Sequence, residues 1–280
     1  KTSPMSRDPR AAARLLYPLC SLLLALLLAG CGEPLVTPQP VALQASGSMS
    51  LAPLVSDLAE AFRERSETIT LGVTGLGTQF GLGALRAGEV DLALASYLPP
   101  GLEEQWRTTA VARDGIAIIV HPSNPIDGVG LLQLQDLFGG RTYEWLALGG
   151  PISQGGVQAV SREDGSGIRA TFEALVMIDR PVTPMAILVP SPEAVLEYVA
   201  EHAGAIGYVS MAQVTPNVKV LKVEGALPTP ESASRGSYPL THELWLVTAD
   251  PPPEGVQAFV EFALSPAGQE IVGQRYGRVR

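Results

Sequence analysis

Residues 41–65 read VALQASGSMSLAPLVSDLAEAFRER, and this stretch holds the plan of the whole chain. Val41–Ala45 is a short apolar run of strand character. Gly47, Ser48, Met49 and Ser50 follow as a turn. Leu51, Leu54, Val55, Leu58 and Phe62 then recur at helical spacing and mark one apolar face from about Ser50 to Arg65. The unit is a strand, a hydroxyl-bearing turn and a helix.

The same unit recurs downstream. Thr68–Thr74 alternates through Ile69, Leu71 and Val73 as a half-buried strand, and Gly75-Leu76-Gly77-Thr78 opens a helical pattern over 78–88. Val90–Ala95 and Ile116–Val120 are apolar strand runs, and 131–138 is a short helix ended by Gly139-Gly140. A strand over Val157–Ser161 leads through Asp164-Gly165-Ser166-Gly167 to a helix over Arg169–Met177. A helix over Pro192–Glu201, strands over Ala205–Val209 and Leu244–Val247, and helices from Glu254 and Ser265 complete the chain. Strands alternating with helices predict an α/β architecture with mostly parallel sheets.

The 280 residues suffice for one large domain or two lobes, and 46% hydrophobic against 17% charged residues is ordinary for a protein with a buried core. The net charge of −9 argues against a nucleic-acid partner, because binding a phosphate backbone requires a basic face. Two Cys and three His leave little material for a structural zinc site or a disulfide framework.

Arg7, Arg10 and Arg14 precede an uncharged apolar run from Leu15 to Gly30, too short for a bilayer span of about 20 residues. A basic start, a short apolar stretch and a small-residue end read as an export signal over 1–30. Leu28-Ala29-Gly30-Cys31 resembles the lipobox of bacterial lipoproteins, which implies that Cys31 carries a lipid. A Pro-rich tether over 31–40 follows. Removing residues 1–30 takes away Lys1, Arg7, Arg10, Arg14 and Asp8, leaving 15 basic and 27 acidic residues, a net of −12.

Each of the three turns, taken alone, reads as an ordinary helix N-cap, since Ser and Thr are common capping residues. Three such turns, one preceded by Arg162, suggest more. Helix N-termini present N–H groups and a partial positive charge, hydroxyls add donors, and glycine lets backbone approach a ligand. Gly75–Gly81 has a dinucleotide-like glycine pattern, but its spacing is off by one and no acidic residue is placed for a ribose. Gly165-Ser166-Gly167 lacks the frame of an esterase elbow. His121, His202 and His242 read as structural or solvated rather than catalytic.

In this order the segments resemble the periplasmic phosphate-binding proteins of ABC transporters. The resemblance runs from about Leu43 to Val279. It is carried by Gly47–Pro53, Gly75–Gly81, Gly88–Ser96, Asn124-Pro125, Leu134–Gly139, Ala205–Tyr208, Tyr238–Leu240 and Ser265–Gln269, and most specifically by Ser161–Gly167.

That resemblance implies a two-lobed type II periplasmic-binding fold with two crossing hinge strands, near 114–122 and 237–246. Lobe I would take 41–118 plus 240–280, and lobe II 119–239. It implies an extracytoplasmic receptor that captures inorganic phosphate between the lobes and delivers it to a membrane permease. No catalysis, cofactor or metal is implied, and the chain would act as a monomer held to the membrane through Cys31.

Carried over by position, Ser50 and the amide of Leu51 donate from the first turn, where Ser48 also lies, and Thr78 donates from the second. Arg162, Ser166 and Gly167 donate from the third, with Asp164 holding Arg162. Two positions depart from the family pattern. Ser96 stands where many members carry an Asp that accepts the proton of hydrogen phosphate, and Ile168 stands for a Thr, leaving only its backbone N–H. A carboxylate acceptor rejects sulfate through lone-pair repulsion, whereas a hydroxyl donates or accepts. Other tetrahedral oxyanions (sulfate, molybdate, phosphonate), a phosphate sensor and an exported hydrolase using Ser166 stand as alternatives.

Overall fold

The computed structural model describes residues 40–66, 68–149 and 156–280. The export segment 1–30, Cys31 and the tether up to Gln39 lie outside the described residues.

The first unit folds as its sequence predicts. Strand β1 (Val41–Gly47) turns inward through Leu43, Ala45 and Ser46. Helix α1 (Ala52–Arg63) then buries Leu54, Val55, Leu58 and Phe62 against it. Strand β2 (Ile69–Gly75), helix α2 (Thr78–Ala87) and strand β3 (Leu92–Ala95) repeat the pattern. Long strand β4 (Arg107–Val120) follows, then β5 (Gly128–Val129) and α3 (Leu131–Phe138). Strand β6 (Gln158–Arg162) leads into α4 (Gly167–Phe172), extended by a wider π-helical turn over Glu173–Met177. Next come β7 (Ile187–Val189), α5 (Pro192–Glu201), β8 (Ala205–Ser210) and the short pair β9 (Lys219–Val220) and β10 (Lys222–Val223). Helix α6 (Pro230–Arg235), strand β11 (Thr241–Thr248) and helices α7 (Glu254–Leu264) and α8 (Pro266–Val272) end the chain.

The main sheet runs in the order β2-β1-β3-β11-β4-β8-β6-β7, with β9 also on β4. Its outer parts are parallel, β1 with β2 and β3, and β6 with β7 and β8. The middle differs from the mostly parallel expectation: β11 is antiparallel to β3 and β4, and β4 is antiparallel to β8. The polar first half of β4, with Arg107, Thr108 and Thr109, lacks the continuous apolar run that marks a buried strand. The sequence therefore exposes only Ile116–Val120 as strand.

Strand β4 belongs to both lobes of the periplasmic-binding-protein-like fold. Its Arg107–Gly115 stretch pairs with β11, and Ile116–Val120 pairs with β8. The apolar packing changes at the same place. Ala112, Leu244 and Leu246 pack with Leu43, Leu58, Phe259 and Tyr276. Ile116, Ile118 and Leu240 pack with Phe138, Trp145, Phe172 and Tyr208. Ala117 and Ile119 face the other side of the strand, onto Val160, Val195 and Val199. Continuous burial on both faces explains why this half reads as an unbroken apolar run.

Candidate anion-binding site

The strand register brings the first two turns and the end of β3 to one edge. Gly47 pairs with Gly75, and it also pairs with Leu94, so β1, β2 and β3 end together. In open α/β sheets, ligands bind outside these carboxyl ends. Gly47 is required there: its φ is +144°, and a Cβ would lie 2.1 Å from the Leu94 carbonyl oxygen. Its own carbonyl accepts from the N–H groups of Leu76 and Gly77 at 2.9 and 2.8 Å, tying the first turn to the second.

The first turn holds Ser48 and Ser50, both buried. The Leu51 amide, expected to face an anion, closes the turn onto the Ser48 carbonyl at 3.2 Å, and the Leu51 side chain is wholly in the core. That amide is thus engaged by the chain itself, a consequence of the tight entry into α1. The Ser50 carbonyl accepts a 2.7 Å hydrogen bond from the Tyr276 hydroxyl.

Thr78 opens α2 and lies beside Ser96, just past β3. The Ser96 N–H donates to Thr78 Oγ1 at 3.2 Å, and the two hydroxyl oxygens are 3.3 Å apart. Thr78 Oγ1 thus accepts from that amide, and either hydroxyl of the pair can donate to the other. Within α2 the first i→i−4 bond is that of the Gly81 N–H to Gly77, so the N–H groups of Thr78, Gln79 and Phe80 have no intrahelical partner.

The third turn reaches the same hydroxyl pair from the other lobe. A Cβ on Gly167 would lie 2.1 Å from Thr78 Oγ1 and 2.3 Å from Ser96 Oγ. Thr171 donates to the Ser96 carbonyl at 2.7 Å. Ser166 is buried at the start of α4, whose first i→i−4 bond inside the turn is that of the Ala170 N–H to Ser166. The N–H groups of Gly167, Ile168 and Arg169 therefore lack intrahelical partners. The Ile168 side chain packs in the core with Phe172, so only its backbone faces the turn.

Arg162 ends β6 and is 2% exposed. Its Nη2 donates to Glu163 Oε1 and to the Pro190 carbonyl, both at 2.8 Å. Its Nε lies 3.2 Å from both Glu163 Oε2 and the Val189 carbonyl. Asp164 does not hold it, contrary to the sequence reading. The Asp164 carboxylate is almost fully exposed and pairs with Arg169 Nη1 at 2.8 Å. The physical reason is that β6 ends at Arg162: its side chain is held inside by the neighbouring carbonyls, whereas Asp164 already belongs to the solvent-facing turn beyond the strand.

Several residues with no motif of their own complete the site. Arg169 also donates to the Arg162 carbonyl at 2.8 Å and to Glu173 at 2.9 Å, knitting the third turn together. The carboxylates of Glu173 and Asp164 favour its charged form and, with burial opposing them, hold its pKa above the usual guanidinium value. Met49 meets the opposite lobe twice, with its sulfur 3.5 Å from Arg162 Nη2 and its carbonyl accepting from Gln213 Nε2 at 3.1 Å. Nothing in local sequence marks Arg169 or Gln213; only the fold brings them here.

Between the second and third turns lies a cavity of about 210 Å³, lined by Thr78, Gln79, Tyr97, Ser166, Arg169 and Glu173 among others. A larger surface groove of about 710 Å³ is lined by Glu193, Glu197 and Glu201, carboxylates that repel anions. Among the described residues no group of three or more His, Cys, Asp or Glu side chains could hold a metal ion. His121 bonds Ser123 at 2.7 Å, His202 stacks on Tyr198, and His242 is a strand residue of β11.

Residues 36–267 match the family model of the PBP superfamily domain, and the chain belongs to that superfamily. It is 29% identical over 203 residues to the phosphate-binding protein PstS of Bacillus subtilis, covering 70% of this chain and 66% of that protein, about two thirds of its length. It is 26% identical over 259 residues to PstS of Pseudomonas aeruginosa, covering 82% and 80%. Among solved structures, it is similar to one from Clostridium perfringens described as a phosphate ABC transporter substrate-binding protein with bound phosphate. The TM-score is 0.80 at 29% identity, covering 85% of this chain and 100% of that one. An ABC-type phosphate transport receptor from Vibrio cholerae follows with a TM-score of 0.71 at 26% identity, covering 84% and 99%.

Proposed function

We propose that this member of the PBP superfamily is an extracytoplasmic receptor that captures inorganic phosphate in the interlobe cleft and passes it to an ABC transporter permease. The observation that carries the reading is the meeting of Thr78, Ser96 and Gly167, donors from two lobes within touching distance of one another. A tetrahedral oxyanion needs many donors converging from several directions. Ser50, Thr78, Ser96, Ser166, the N–H groups that open α2 and α4, and the guanidinium of Arg162 are of that kind. The relatives supply the ligand, since those compared are named for phosphate.

Binding here proceeds without covalent chemistry. Fixed N–H and hydroxyl dipoles replace the anion's hydration shell, and their geometry is set by the turns before the ligand arrives. The excess of acidic residues makes the long-range field unfavourable, so selectivity resides in short-range contacts. Hydrolysis through Ser166 requires a base at its hydroxyl, and the three histidines have other surroundings.

Other oxyanions form the second reading, and Ser96 is the observation that favours it. Its hydroxyl accepts as well as donates, so it does not exclude sulfate as a carboxylate does. The division of lobes at 41–118 with 240–280 and 119–239, the export signal, the monomeric state and a lipid on Cys31 belong to the same proposal. Calorimetric titration of the full-length chain, freed of bound anion, tests it with phosphate, sulfate, molybdate and phosphonates. One-to-one phosphate binding with weak sulfate binding supports a phosphate receptor; preference for another anion moves the function to that anion. Loss of palmitate incorporation on Cys31→Ser tests the anchor.

A further inference from the structure

Asp114 sits where β4 leaves one lobe for the other. The residues on either side of it pair with β11, and two positions on, Ile116 pairs with Ser210 of β8. Its side chain is wholly buried, and neither carboxyl oxygen makes a hydrogen bond of normal geometry. The donors that face it are the Ser210 hydroxyl and the N–H groups of Gly115 and Met211. Directly across the strand pair stands His242, with both ring nitrogens buried and without a hydrogen bond of normal geometry, the Leu240 backbone being the group nearest to supplying one. An isolated charge in such a place is costly, so its proton is retained to higher pH.

This pocket borders the first anion-binding turn. Tyr276, fully buried, lies close enough to Asp114 to feel its charge and faces Ser210 as well. Its hydroxyl donates to the carbonyl of Ser50 at 2.7 Å. A tyrosine hydroxyl has one proton to give. That proton serves Ser50 while Asp114 is neutral. An ionised Asp114 would draw the Ser210 hydroxyl toward itself and away from Tyr276, and so weaken the hold of the Tyr276 hydroxyl on the Ser50 carbonyl.

We infer that Asp114 and Tyr276 are positioning residues for the cleft: they join the strand that passes between the lobes to the Ser50 turn, so that the proton on Asp114 governs anion affinity. This rests on the reading of the cleft as an anion site and adds to it a control outside the ligand contacts.

The other groups facing the pocket do not replace that proton. His242 is uncharged at neutral pH, because burial pulls its pKa down to about 4. Tyr238 and Tyr276 are pushed above the usual phenol value, chiefly by burial and then by Asp114. Tyr238 is in any case committed to the Ile116 carbonyl at 2.7 Å. Arg275 and Asp57 pair with each other behind Tyr276. Arg113 and Glu243 approach to 3.9 Å at the adjoining register position, where side chains point to the opposite face. Asp114 itself is raised to about 7, with desolvation the main cause.

The test is titration of the full-length chain with phosphate and with sulfate from pH 5.5 to 8.5, for the wild type, Asp114→Asn and Tyr276→Phe. Sulfate does not change protonation in this range, so its profile separates the protein's proton from that of phosphate. The expected result is a wild-type affinity for both anions that falls about tenfold relative to Asp114→Asn as pH rises, equivalent to one pKa unit of coupling. Tyr276→Phe should bind more weakly and lack that dependence. Superimposable profiles for wild type and Asp114→Asn would overturn the inference. Should Asp114→Asn fail to fold, an unchanged slope in Tyr276→Phe would overturn it equally. A wild type that binds neither anion at any pH would overturn the anion reading as well, which distinguishes the two failures.

Discussion

Gly167 lies so close to Thr78 that a Cβ at 167 would come within 2.1 Å of the Thr78 hydroxyl oxygen. The two residues come from opposite lobes, so this contact records how tightly the cleft closes. Gly167→Ala should therefore act on closure and binding before it acts on folding. Phosphate affinity is expected to fall at least about tenfold, or roughly 1.4 kcal/mol. The overpacking strain of about 1–3 kcal/mol is relieved when the lobes open. Calorimetry gives the affinity, and small-angle scattering with saturating phosphate should show a larger radius of gyration than the wild type. An unchanged affinity would separate Gly167 from the closed site.

Arg162 and Asp164 should respond oppositely to substitution. Arg162→Lys keeps a charge but loses the planar fork that meets Glu163 and the Val189 and Pro190 carbonyls together. A drop in affinity of more than about tenfold is expected. Asp164→Asn removes only an exposed ion pair with Arg169, worth about 0–1 kcal/mol, and should leave affinity within about twofold. Titration of both variants checks this; a larger loss for Asp164→Asn than for Arg162→Lys contradicts the placement.

Ser96→Asp should sharpen the preference for phosphate over sulfate. The Ser96 oxygen is 3.3 Å from Thr78 Oγ1, so a carboxylate there stands at the hydroxyl pair where the turns converge. It accepts the proton of hydrogen phosphate and meets only lone pairs on sulfate. The phosphate-to-sulfate affinity ratio should rise about tenfold or more, the scale of one charge-assisted hydrogen bond. A ratio that does not move places residue 96 outside the ligand's reach.

Two buried groups should act on thermal stability with opposite sign over overlapping pH ranges. Burial raises Asp114 to about 7, above its ordinary 3.8. Its contribution is complete below the ordinary value and is lost as pH rises through about 7. Burial lowers His242 to about 4, below its ordinary 6.5, so the native state resists protonation and stability is lost as pH falls from 6.5 through 4. The two slopes offset each other between about pH 4 and 6.5, so melting curves from pH 4 to 8.5 should show the stability of Asp114→Asn rising with pH up to about 6.5 and that of His242→Gln falling from about pH 4 to 7. Identical curves for the variants and the wild type would exclude both groups as the titrating ones.

Much of the candidate site is legible in the chain because its parts are local. A strand end, a Gly/Ser turn and a helix start occupy a few consecutive residues, so Ser50, Thr78 and Ser166 stand out without any fold. Arg162 stands out too, but its partner does not. The sequence suggests Asp164, whereas the structure gives Glu163 and two carbonyls from the end of β7 and just beyond, because β6 ends at Arg162 and the turn that follows carries the Asp164 carboxylate out into solvent, onto Arg169. The first half of β4 is hidden for a related reason. Its burial is supplied by β11, more than a hundred residues away, and not by an apolar run of its own.

The sequence by itself determines the strand–turn–helix units, the helix faces of α1 and α5, the three donor-bearing turns and the departure at Ser96, since each depends on neighbours within a few residues. Only the tertiary structure decides that the middle of the sheet is antiparallel, that Gly167 closes on Thr78 and Ser96, and that Asp114 faces His242 beside the Tyr276–Ser50 bond. These relations join residues from 71 positions apart (Gly167 and Ser96) to 226 (Tyr276 and Ser50). Such distances carry no local signal, because the free energy that fixes them comes from burial and pairing across the sheet and not from any segment's own propensity.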